Sequence, residues 1–106
     1  MHKEITIDVG KDFNRIPSGR FHSDGDSSAE VFFIHTLDGL LSDGYNVNLE
    51  FHNVLQTGST FLYHLTGLLV SYGWDRKVII TKDDDWEWTK VRWDKYMKEH
   101  RYNRGY

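Results

Sequence analysis

Three short segments with strand patterning alternate with three stretches of helical periodicity, and this alternation limits the chain more than any other feature. In Ile5, Ile7 and Val9, and again in Val47, Leu49 and Phe51, apolar residues recur every second position between polar ones. That period places one face of each strand on a core. Val78-Ile79-Ile80 is continuous instead, the pattern of a strand covered on both faces. Between the first two strands, Phe33, Leu37, Leu40 and Leu41 fall on one helical stripe, with Ser27 and Glu30 as a capping box before it and Gly44 after it. Gln56-Thr57-Gly58 reads as a turn, Ser59 as the cap of a helix carrying Phe61, Leu62, Leu65, Leu68, Leu69 and Tyr72, and Gly73 as its end. Asp83 to Asp85 precede a third helix, with Lys95, Lys98 and Arg101 toward its far end, as the helix dipole favours.

The expected strands are therefore 5–9, 47–51 and 77–81, and the expected helices 29–43, 59–72 and 84–99. The residues between Gly10 and Ser28, with Pro17, Gly19 and Gly25, read mostly as loop. Strands separated by helices of this length pair in parallel through right-handed crossovers, so the fold class is α/β, with helices packed on a small sheet. The expected core includes Ile7, Phe33, Leu37, Leu49, Phe51, Phe61, Leu65, Leu68 and Ile79.

Composition narrows the function classes. A chain of 106 residues supports one core, expected over 1–99, followed by a basic, aromatic tail at 100–106. Without cysteine there is no disulfide framework, thiol nucleophile or Cys-ligated zinc, which suits a cytoplasmic setting. The apolar runs are too short for a membrane span or a signal peptide. Residues 1–89 hold seven Lys and Arg against fourteen Asp and Glu, whereas 90–106 hold six against two. An acidic body with a basic end argues against general nucleic-acid binding.

Several segments taken in order resemble the STAS-like domains of bacteria and their phages. Arg15-Ile16-Pro17-Ser18-Gly19-Arg20, then Asp26-Ser27-Ser28-Ala29-Glu30 opening a helix, match the first half of that family. Val47 to Val54 resembles its central strand, Gly58-Ser59-Thr60-Phe61-Leu62 its Ser-Ser-Phe-Leu turn, and Thr66-Gly67-Leu68 its Phe-Gly-Leu stretch. The resemblance spans roughly residues 4–82 and implies a small sandwich with a mixed, mostly parallel sheet. It includes anti-sigma-factor antagonists, which bind ATPase-type kinases and are switched by phosphorylation of a serine at the start of this helix. Ser59, followed by Thr60, lies closest to that position. The acidic residue that precedes the antagonists' serine is missing from Thr57-Gly58-Ser59-Thr60.

Each candidate site has a plain structural alternative. Ser59 and Thr60, beside Gly58 at a helix start, suit a phosphate or serve as a simple cap. Arg20 resembles a position often kept as arginine in STAS-like domains; it can hold an anion near the loop tips or pair with Asp24 or Asp26. The six histidines show no i, i+4 pair, so neither His22 near two acids nor His35 with Asp38 makes a metal site, and no metal or cofactor is expected. No Gly-x-Ser-x-Gly elbow or P-loop is present, and an enzyme is not expected. On the last helix Trp86, Trp93 and Met97 share a face that can cover the sheet. Trp88, Val91, Arg92 and Lys95 form a second, aromatic and basic face, suited to a protein partner or to a homodimer unless Trp88 lies against a loop. The leading expectation is a non-enzymatic regulatory domain that binds another protein. The alternatives are a nucleic-acid-associated protein using 90–106 and a small phage-type inhibitor.

Overall fold

A computed structural model describes residues 3–83 and 88–104. The strands β1 (Lys3–Asp8), β2 (Tyr45–Glu50) and β3 (Val78–Lys82) form one sheet in the order β1-β2-β3, both pairs parallel. Among the described residues the sheet is wholly parallel, not mixed, and the expected α/β class is the observed one.

Short helices α1 (Val9–Asp12), α2 (Ala29–Phe32) and α3 (Asp38–Ser42) lie between β1 and β2; a π-helical segment, Phe33–Leu37, joins the last two into one run. Helix α4 (Ser59–Ser71) connects β2 to β3, and α5 (Thr89–Asn103) follows β3. Because strand order follows chain order, right-handed crossovers put both connecting helical layers on one face of the sheet. Ile7, Val47, Leu49, Val78 and Ile80 point into that layer and are buried with Phe32, Leu37, Phe61, Leu65 and Leu69.

One-sided covering corrects the reading of β3. Ile79 is 53% exposed, in register with Asn48, which is itself in register with Thr6 on the open face. An uninterrupted apolar run cannot reveal that the helices wind to one side only. Leu68 is also corrected, being partly buried at the margin of the core. The other expected core residues are buried.

Local signals shifted by a residue or two for identifiable reasons. Val9 opens α1 rather than ending β1, because the Asp8 carboxylate accepts the Lys11 N–H (3.0 Å) and caps a turn there. Ser28, not Ser27, caps α2 by accepting the Val31 N–H (3.3 Å). The Glu30 carboxylate accepts from the His22 N–H (2.9 Å), and the Ser27 hydroxyl meets Ser18 (3.3 Å), so the expected box is not made. Gly44, at φ 90°, ends α3 in the left-handed conformation its position implied.

Helix α5 begins at Thr89, later than the expected residue 84, and Trp86 lies outside the described residues. Asp83 does act at this start, its carboxylate accepting the Lys90 N–H (3.0 Å). Trp93 and Met97 are buried as expected. The helix runs past residue 99 to Asn103, and its last turns are tied in. A ring nitrogen of His100 bonds the Tyr63 carbonyl (2.8 Å), and Arg101 Nε donates to the buried Asp75 carboxylate (2.6 Å). Residues 100–103 are thus helix rather than a separate tail. No helix among the described residues is long and apolar enough to cross a membrane.

Candidate functional site

In a parallel sheet the loops that leave the carboxyl ends of the strands converge, and ligands bind there. Here that end gathers the start of α4, the start of α5 and the corner after β1.

At α4 the capping residue is Gly58, in extended conformation, with no side chain to bond the free N–H groups of the first turn. The N–H of Gly58, an anion-binding candidate of the sequence for the close backbone approach it allows, is taken by the Pro17 carbonyl (2.9 Å). Ser59 is therefore the first helical residue and not the cap, and both Ser59 and Thr60 are exposed. The Ser59 hydroxyl turns toward α5, where Arg92 Nη1 donates to it (3.3 Å) and to the Thr57 carbonyl (3.0 Å). Beside these, the Thr57 hydroxyl is buried without a hydrogen-bond partner among the described residues. An uncapped helix start, a guanidinium and an unsatisfied hydroxyl thus occupy one place.

The start of α5 has an unusual backbone. Trp88 adopts φ 53°, the one left-handed non-glycine among the described residues, and its ring is 66% exposed. Such a conformation costs a bulky residue on the order of 1–3 kcal/mol. Val91, 59% exposed, and the exposed Lys95 continue the surface along the helix. Three of the four expected interface residues therefore share an outer face. Arg92, expected with them, is half-buried and reaches toward Ser59, so it joins the two candidate regions rather than belonging to one.

Arg20 stands apart from Gly58 and Ser59 in its bonding. Its backbone N–H donates to the Asp24 carboxylate (3.1 Å), as does that of Phe21 (2.9 Å). These two bonds, from Phe21 foremost, hold the Asp24 carboxyl below its ordinary value, with the Arg20 and His64 charges assisting against burial. His64 packs edge-on against the Phe21 ring at 5.0 Å, and burial pushes its imidazole down, further lowered by Arg20 and His100 against the opposing pull of Glu30 and Asp24. The Arg20 guanidinium makes no hydrogen bond among the described residues; the bonds at this loop tip are from its backbone.

A cluster not found from the sequence joins Asp8, Glu50 and His52, whose donor atoms all lie within 4.8 Å of one another. His52 Nε2 is 3.9 Å from Asp8 Oδ2, and its Nδ1 is 3.8 Å from Glu50 Oε1. Asp8 and Glu50 are register partners across β1 and β2, a relation that helical histidine spacing cannot detect. The signal available was positional, since both acids end a strand. One nitrogen and two carboxylates are a donor set that suits a divalent cation. The cluster also has internal partners, with Lys82 Nζ 3.8 Å from Glu50 and the Asn53 amide donating to Asp8. Burial alone would raise the Asp8 carboxyl, but the Lys11 N–H, the Asn53 amide and the charges of His52 and Lys11 together hold it below its ordinary value. A Cβ on Gly10 would overlap the Asn53 carbonyl, so glycine there permits the loop after β2 to lie against α1.

No family model matches the chain, and neither a curated protein nor a solved structure is significantly similar to it. The STAS-like resemblance rests on the sequence motifs alone.

Proposed function

We propose that this chain is a non-enzymatic, STAS-like regulatory domain that binds a protein partner through the start of α5 and is switched by phosphorylation of Ser59 or Thr60. The observation that carries the reading is the Arg92 guanidinium, bonded at once to the Thr57 carbonyl and the Ser59 hydroxyl. It links the modification candidate to the helix that presents Trp88, Val91 and Lys95.

The chemistry follows from charge. A phosphate on Ser59 adds about −1.5 to −2 and three acceptor oxygens. The uncapped N–H groups of α4 and the positive end of its dipole favour that charge. Arg92 prefers a phosphate, which it can grip with two donors, over a neutral carbonyl and hydroxyl. Drawing the guanidinium toward Ser59 pulls on the first turn of α5, where Trp88 holds a strained backbone. The exposed aromatic and basic surface is thereby re-aimed, and a partner that reads it is released. The partner class is a protein such as an ATPase-type kinase, or a second copy of this chain, acting in the cytoplasm.

The test compares immobilised wild type, Ser59→Asp and Trp88→Ala in a bacterial lysate, with bound proteins identified by mass spectrometry. The reading expects a partner held by wild type and lost with both variants, while circular dichroism shows both folded. A set of bound proteins that neither substitution changes would refute it.

A further inference from the structure

The cluster of Asp8, Glu50 and His52 plays no part in the phosphorylation reading, and its two acids are held in the same distinctive way. Asp8 Oδ1 accepts the Lys11 N–H (3.0 Å), while Oδ2 stands 3.9 Å from His52 Nε2. Glu50 Oε2 is 3.8 Å from Lys82 Nζ, while Oε1 stands 3.8 Å from His52 Nδ1. One oxygen of each acid is thus anchored away from the imidazole, and the other is turned toward it. Such anchoring by outer partners is what orients the ligands of metal sites. The backbone fixes the arrangement as well, because Asp8 and Glu50 are register partners at the carboxyl ends of two parallel strands. Neighbouring strands lie about 4.8 Å apart, a span that one ion can bridge from two carboxylates. Ligands of open parallel sheets gather at this same end. The Asn53 amide nitrogen reaches both Asp8 Oδ2 and His52 Nε2, the latter at 3.3 Å, but brings them only a partial positive charge.

We propose that Asp8, Glu50 and His52 bind one divalent transition cation of the zinc class at the corner where β1 and β2 end. Their donor atoms lie within 4.8 Å of one another. Metal–donor bonds of about 2.0–2.2 Å need them about 3–3.5 Å apart, which rotation of the exposed imidazole and the Glu50 side chain achieves. The imidazole selects zinc-like ions over magnesium and calcium, which prefer oxygen ligands alone. His52 is exposed and the two acids are half-buried, so the ion enters on the imidazole side and water completes its coordination. Once bound, it ties the ends of both strands to the loop that leads into α4. The site does not depend on Ser59 or on the Trp88 face.

The experiment titrates zinc chloride into the chelator-treated full chain and reads the heat of binding. Expected is saturable binding of one ion per chain. Both His52→Ala and Glu50→Gln should weaken it at least about tenfold while circular dichroism stays unchanged, since even the outer partners of a metal ligand count for that much. His22→Ala should leave the affinity as it is; its ring lies 6.5 Å from that of His35 and offers the competing pair of histidines. Nitrogen NMR of the wild type needs no variant: zinc should shift a ring nitrogen of His52 and leave those of His22 and His35 in place. The proposal is overturned if zinc does not bind saturably, if it shifts other histidines instead of His52, or if magnesium binds as tightly. An unchanged affinity in Glu50→Gln overturns it too, reducing the contact to adventitious binding by a surface histidine.

Discussion

Helices α4 and α5 pack against each other, yet they use their side chains in opposite ways. In α4, Phe61, Leu62, Leu65, Leu69 and Val70 are all buried, along with Thr66, whose hydroxyl donates to the Leu62 carbonyl (2.8 Å). In α5 only Thr89, Trp93 and Met97 are buried among fifteen residues, and Trp88, Val91 and Tyr102 stand in solvent. The first helix is a structural keystone because it lies between the sheet and everything outside it. The second covers what α4 leaves open and keeps its remaining surface available. An aromatic ring therefore has a different meaning in each: in α4 it reports packing, and at the start of α5 it reports a surface.

The largest expected effect breaks that comparison at its structural end. Phe61 is fully buried and packs 6.1 Å from the Phe32 ring and 6.2 Å from Phe13. Phe61→Ala should lose ~3–5 kcal/mol of stability in urea unfolding. Trp88→Ala, which removes an equally apolar but exposed ring, should change it by less than ~0.5 kcal/mol. Similar losses for both would mean that Trp88 belongs to the core.

Trp88 should count instead in association. If the outer face of α5 is an interface, Trp88→Ala should weaken the complex by ~2 kcal/mol, the mark of a central aromatic contact. Sedimentation across a concentration series, with and without the captured partner, measures this. A monomer at every concentration, with unchanged partner affinity for the variant, would reduce Trp88 to a solvated side chain.

How far each helix and strand was legible follows the same division. The alternation in β1 and β2 and the stripe of α4 survive into the structure because each element meets the core on one side. Ile79 was misplaced because Val78, Ile79 and Ile80 are chemically uniform, and only the winding direction decides which of them faces solvent. Ser27 lost its capping role to Ser28 because Glu30 is engaged by His22, a contact of the preceding loop. The cluster of Asp8, Glu50 and His52 depends on strand register, which no local pattern in one strand contains. Trp88 and Val91 were recognisable as a surplus face, but the inward turn of Arg92 depends on where α4 begins. Local periodicity thus carried the fold, whereas the candidate site is built from contacts between elements.

A smaller effect concerns the corner after β1. Asp8 is held below its ordinary carboxyl pKa of 3.8 in the folded chain, so its bonds stabilise the fold above that pH. The contribution fades as pH falls through the lower folded value, because the folded state then has to take up the proton as well. Asp8→Asn should therefore be less stable than wild type at neutral pH, and the gap should close progressively as pH drops below about 3.8. Parallel denaturation curves across that range give the comparison. A gap that stays constant would assign the loss to altered packing instead of charge.

The smallest expected change lies where the two helices meet. Gly58 caps α4, so Ser59→Ala removes no capping bond and loses only the contact from Arg92 at 3.3 Å. Its cost should stay below ~0.5 kcal/mol, well under the ~1 kcal/mol typical of a lost cap. Ser59→Asp should act in the other direction, because a carboxylate at an uncapped helix start gains ~0.3–1 kcal/mol from the dipole. Arg92 adds to that gain by sitting against the new charge. Unfolding at low and high salt tests both statements, since the benefit of Ser59→Asp should shrink as salt screens it. A loss near 1 kcal/mol for alanine would restore Ser59 to the role of a cap. A destabilising aspartate would mean that negative charge is not welcome at this junction, and the phosphate switch would then lose its physical basis.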